Sequence, residues 1–223
     1  LRLRGELEWS PKALIRESVL SRAYRRAGAS AADADPENLL LSHRTPRRLD
    51  GESLRDAMLA VSGRLHEKRI GPSVAQHLTP FLTGRGRPQE SGPLTGRWRR
   101  SLYLETRRNF LDPFFAVFDA PVPFTAQGCR NSSNVPTQSL ALMNAPLVEL
   151  LAEETAKRLA GDGATDDAGR IDALWRLAYG RPPAASERDA ALAFLAEWPE
   201  DGAAPWADLC HVVFNSKEFS FIQ

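Results

Sequence analysis

Asn144–Ala160, NAPLVELLAEETAKRLA, is the stretch that decides the fold. Asn144 and Pro146 open a helix, because an amide at the N-cap and a proline in the first turn both suit backbone that has no intrahelical partner yet. Leu147, Leu150, Leu151 and Leu159 then recur at helical spacing. Glu153 with Lys157 and Glu154 with Arg158 stand at i,i+4 on the opposite face, each pair contributing roughly 0.3 kcal/mol. Downstream, beyond a Gly161–Gly169 loop, Ile171, Leu174, Trp175 and Ala178 repeat the pattern, and Gly180 is placed to close the helix in a left-handed cap. Ser186 and Asp189 approximate a capping box for a helix burying Ala190, Phe194, Leu195 and Trp198. A last helix starts near Pro205 and carries Trp206, Leu209, Cys210, Val213 and Phe214. Upstream, Pro136 opens a turn carrying Leu140 and Met143. Helices joined by short turns pack antiparallel, so residues 136–223 read as a small C-terminal bundle.

The N-terminal half is less regular. Ser10-Pro11 caps a first helix with Leu14, Ile15, Val19 and Tyr24 on one stripe, running to about Arg26. Gly28 to Glu37 is small and polar and reads as a loop. Asp50 caps a second helix, with Leu54, Ala57, Met58, Val61 and Leu65 in register. Residues 66–98 are crowded with Gly71-Pro72, Thr79-Pro80, Gly84, Gly86, Pro88, Gly92-Pro93 and Gly96, which predicts a mobile loop. Ser101 to Thr106 alternates like a short strand, and Asp112-Pro113 restarts a short helix whose Phe114, Phe115 and Phe118 are core aromatics. The expected fold is mainly α: one irregular helical domain over 1–223, with the C-terminal antiparallel bundle, one short strand or hairpin, and long loops.

Composition narrows the function classes. Lys plus Arg number 29 against 28 Asp plus Glu, so no long-range positive field gathers nucleic acid. No apolar run approaches the roughly 20 residues that cross a bilayer. His43, His66, His77 and His211 are scattered, and neither Cys129 nor Cys210 lies in a CxxC or CxxCH pattern. No metal or cofactor motif is present in this segment. A chain that opens on Leu1-Arg-Leu-Arg and reaches a helix almost at once reads as part of a longer polypeptide.

Several motifs fall in order along the chain: Trp9 to Leu14 (WSPKAL), Arg47 to Ala57 (RRLDGESLRDA), Val61 to Gly63 (VSG), Phe118 to Pro121 (FDAP), Val135 to Gln138 (VPTQ), Leu140 to Asn144 (LALMN), Tyr179 to Pro183 (YGRPP) and Asn215 to Phe219 (NSKEF). Together they resemble the planctomycete cytochrome-associated family catalogued as domain of unknown function fifteen-fifty-three, over nearly the whole chain. The resemblance implies a module of an exported, multidomain bacterial protein, periplasmic or at the cell surface. It further implies a c-type cytochrome-like domain in the same polypeptide, with haem c held there and not in this segment. Two positions depart from the family's pattern: Ile15 stands where a His is usual, and Val122 where an Asp commonly follows Asp-Ala-Pro.

The candidate site lies between Arg107 and Asn144. Asp119, Arg130, Gln138 and Asn144, with Arg107 and Arg108, are polar residues among Phe118, Pro121, Pro136 and Leu142. They read either as a pocket that orients a polar ligand or polysaccharide through charge-assisted hydrogen bonds, or as a buried network pinning a loop, with Asp119 and Arg130 paired. Glu105 with Asp112 is a further carboxylate pair of unknown spacing. Export would permit a Cys129–Cys210 disulfide. Two functions stay open: a module that shapes a substrate site for a redox partner domain, and a non-catalytic binding or assembly module.

Overall fold

The computed structural model describes residues 2–25, 35–40, 42–161, 163, 166–197 and 203–222, leaving out the side chain of 203. The chain divides into two compact units, 1–47 with 221–223, and 48–220. The expected burial of Trp198 and most of the 28–37 loop lie outside the described residues.

In the first unit, α1 (Pro11–Leu20) begins as expected, with the Ser10 hydroxyl accepting from the Ala13 amide at 3.3 Å. It ends at Leu20, short of the predicted Arg26, because the Ser21 hydroxyl donates to the Ser18 carbonyl and accepts from the Tyr24 amide. A side chain that bonds its own neighbouring backbone competes with continuing the helix. Two-residue strands β1 (Arg47–Arg48) and β2 (Phe221–Ile222) pair as a small sheet.

The second unit holds the core. Its helices are α2 (Gly51–Val61), α3 (Pro113–Val117), α4 (Pro136–Asn144), α5 (Pro146–Gly161), α6 (Asp167–Tyr179), α7 (Ala185–Ala196), α8 (Ala203–Asn215) and α9 (Lys217–Ser220). Helix α5 lies along α8, and their facing stripes bury Val148, Leu151 and Leu159 with Cys210, Val213 and Phe214. Ile171 and Leu174 of α6 and Leu54, Met58 and Leu59 of α2 complete this layer, all fully buried. Each such aliphatic side chain contributes about 1.5–3 kcal/mol. Asp50 caps α2 through the Ser53 amide at 2.7 Å, and Gly180 closes α6 at φ 71°, both as expected. Arg158 of α5 donates to the Ala60 and Val61 carbonyls at the end of α2, while Glu154 pairs with Lys157 and with Arg64.

Two local expectations are corrected. The box that opens α7 uses Glu187, which accepts from the Ala184 amide at 2.7 Å, and not Ser186 with Asp189. Ser101 to Thr106 is not a strand: residues Ser101–Tyr103 form a 3-10 turn, and only Leu104 makes a single parallel bridge, with Val74. The turn forms because the Asp56 carboxylate accepts from both the amide and the hydroxyl of Ser101, at 2.7 and 2.8 Å.

The Gly- and Pro-rich segment 66–98 has little regular structure, yet it is tied down. The buried Arg99 guanidinium donates to the carbonyls of Lys68, Ile70 and Pro72 and stacks 3.8 Å from the Tyr103 ring centre. Val74, Gln76 and Leu78 turn inward in alternation.

Candidate functional site

The sequence places its polar cluster at the end of α3, and the structure builds one there with different pairings. Asp119 occupies the left-handed position after the helix, at φ 60°, where glycine is usual and Asp is tolerated. Its carboxylate accepts from the Arg48 guanidinium at 2.6 Å, the Ser133 amide at 2.8 Å and the Ser133 hydroxyl at 2.9 Å. Burial pushes this acid upward, but Ser133, Arg48 and the more distant Arg130 together hold it below the usual carboxylate range. Gln138, also buried, donates to the Val117 and Ser133 carbonyls and to the Ser133 hydroxyl.

Arg130 bonds elsewhere. It forks onto Glu52 at 3.2 and 2.8 Å and donates to the Phe118 carbonyl, so the expected direct Asp119–Arg130 pair is replaced by Arg48–Asp119 and Glu52–Arg130. Arg107 pairs with Glu105, Arg108 is exposed, and Asn144 donates to the Leu140 carbonyl. Cys129 is exposed and Cys210 is buried beneath α5, and the two are not bonded. Burial pushes the Cys210 thiol up to about 12.

Beside this network lies a cavity of about 550 Å³, walled by the 76–96 and 104–115 segments, by α3 and the Ala120–Pro123 turn, and by the junction of α4 and α5. Its walls are largely apolar, with Leu94, Leu104, Leu111, Phe114, Phe115 and Pro121 among them. Of the expected site residues, Asn144 reaches it, whereas Asp119, Arg130 and Gln138 do not. They hold its wall: Gln138 fixes Val117, and the Asp119 latch fixes the turn that places Ala120 and Pro121.

Polar residues on the wall include Glu52, Arg55, Gln76, His77, Glu105 and Asp112. Asp112 caps α3 through the Phe114 amide at 2.9 Å, and burial raises its carboxyl above the usual range despite that bond and the nearby Arg55 and His77. Arg55, 2% exposed, donates to the Thr95 and Arg99 carbonyls and the Ser101 hydroxyl. Burial lowers its guanidinium, with Asp56 and Asp112 pulling the other way. Gln76, 6% exposed, has its Nε2 fully buried without a hydrogen-bond partner among the described residues. Gln76, His77, Arg48 and Ser133 were not singled out from the sequence. The inward alternation of Val74, Gln76 and Leu78 is the signal that marks Gln76, and His77 is out of phase with it.

Fold and site thus define a mainly helical domain with a latch-supported, apolar-walled cavity. The family model described as PSD1, Protein of unknown function (DUF1553), matches residues 2–195, and the chain belongs to that family. No curated protein and no solved structure matches the chain. No helix among the described residues is long and apolar enough to cross a membrane.

Proposed function

We propose that this domain is a small-ligand-binding module, and that its site is the cavity between the 76–96 segment and the α4–α5 junction. The observation that carries this reading is the cavity itself, whose volume of about 550 Å³ lies within the range of small-molecule sites. A mostly apolar enclosure with a few converging polar groups is the usual form of such a site. Family membership supports the wider setting: an exported bacterial protein in which a c-type cytochrome-like domain of the same polypeptide holds the haem and supplies redox chemistry. In this reading the domain binds and presents a molecule, and the Asp119 latch is its scaffold.

The test uses 2-methoxynaphthalene, an apolar probe whose ether oxygen only accepts. The wild-type domain is expected to bind it saturably by fluorescence titration. Ala141→Trp, which fills the cavity from α4, is expected to lose that binding while keeping a cooperative melt. Absence of saturable binding by the wild type, or unchanged binding by the folded variant, contradicts the reading.

A further inference from the structure

Beside Gln76 on the cavity wall stands His77, and its surroundings fix which of its nitrogens is available. The ring Nδ1 lies 3.1 Å from the Gly92 carbonyl oxygen. A carbonyl can only accept, so Nδ1 carries the proton and, in the neutral ring, Nε2 presents a lone pair. Nε2 has no hydrogen-bond partner among the described residues, and the Asp112 carboxyl lies near the ring. The support under this ring is built in detail. The Gly92 amide donates to the Gln76 carbonyl at 2.9 Å, and the Ser91 hydroxyl accepts from the Leu78 amide at 2.8 Å. Ser91 Oγ also stands 3.3 Å from Nδ1. Only glycine fits at 92, because a Cβ there would lie 1.9 Å from the Ala75 carbonyl oxygen. The 76–78 backbone is therefore clamped by Ser91 and Gly92, which hold the imidazole in one tautomer.

We infer that the cavity selects neutral, hydroxyl-bearing ligands with an apolar body, the ligand O–H donating to His77 Nε2. This rests on the binding reading above and names its ligand class. An anion is disfavoured by the same wall. Glu52, Glu105 and Asp112 contribute carboxyl groups to it, Arg55 gives its N–H groups to protein oxygens, and Arg107 and Arg130 fork onto Glu105 and Glu52. The apolar residues on this wall require a ligand that is mostly hydrocarbon.

The experiment compares 2-naphthol with 2-methoxynaphthalene, which share the ring system and the acceptor oxygen but differ in the O–H. Wild-type protein should bind 2-naphthol about tenfold more tightly, the worth of one net hydrogen bond. His77→Phe should erase that preference while still binding both probes, and His77→Gln, whose amide oxygen can accept near the Nε2 position, should restore part of it. Equal wild-type affinities, or a preference that survives in His77→Phe, overturn the hydroxyl assignment and leave the binding reading standing. Failure of the wild type to bind either probe overturns both. The wild-type comparison is decisive by itself should a variant fold poorly.

Discussion

Replacing Arg48 with alanine should cost more stability than any other single change in the polar network. Arg48 and Asp119 meet at 2.6 Å with side chains 6% and 18% exposed. Removing one partner of a buried pair costs about 3–5 kcal/mol, because the other charge is left without compensation. Asp119 keeps its Ser133 bonds, which places the expected loss near the lower end, about 3 kcal/mol. Arg130→Ala provides the contrast. Its Glu52 pair is 29% and 37% exposed, and pairs that water reaches contribute under about 1 kcal/mol. Asp119→Asn tolerates the left-handed backbone and retains an acceptor for Ser133. The double change Arg48→Met with Asp119→Asn should therefore recover much of the Arg48→Ala loss. Urea unfolding of the single and double variants gives the coupling energy, expected above about 1.5 kcal/mol. Coupling within about 0.5 kcal/mol of zero, or an Arg130→Ala loss as large as that of Arg48→Ala, refutes the assignment of the latch.

Three further outcomes are expected. A thiol reagent should label Cys129 in the native protein and reach Cys210 only on unfolding, as counted by mass spectrometry, since one is exposed and the other is buried with its thiol pushed up to about 12. Arg181 bonds Glu187 and holds it down to about 2, so this pair's stabilisation is present above the ordinary carboxylate range and lost as pH falls from about 4.5 toward 2. Arg181→Ala should flatten that acid limb in a melting series, with a loss on the order of 1 kcal/mol at neutral pH because both groups are about one-third exposed. Gly92→Ala must displace the 75–76 backbone, and a melt should show it costing about 2–3 kcal/mol and abolishing probe binding together.

The regular part of the fold was legible because periodicity and caps act locally. The Asn144–Ala160 stripe, the Asp50 cap and the Gly180 closure each depend on residues within one or two turns. Ser101 to Thr106 misled because its alternation is overridden by Asp56, which lies 45 residues away in sequence and turns the backbone at Ser101. Of the residues in the expected polar cluster, Asp119 and Gln138 share Ser133 as a partner, whereas Arg107 and Asn144 bond elsewhere. The cluster's pairing was not legible, because Arg48 comes from a strand 71 residues earlier and Ser133 contributes through its backbone as much as its hydroxyl. The cavity was hidden for a similar reason. It is formed by a Gly- and Pro-rich stretch whose order depends on Arg99 and Gly92, and neither residue announces a distant carbonyl partner.

The most direct test of the central claim is a fluorescence titration of the purified chain with 2-naphthol, run beside Ala141→Trp. Ala141 lines the cavity from α4, and an indole there fills the space that a two-ring ligand needs. Saturable one-to-one binding to the wild type, lost in a variant that keeps its helical circular dichroism and cooperative melt, is the predicted result. Undiminished binding by the folded Ala141→Trp variant, or no saturable binding by the wild type, would contradict the assignment of this cavity as the ligand site.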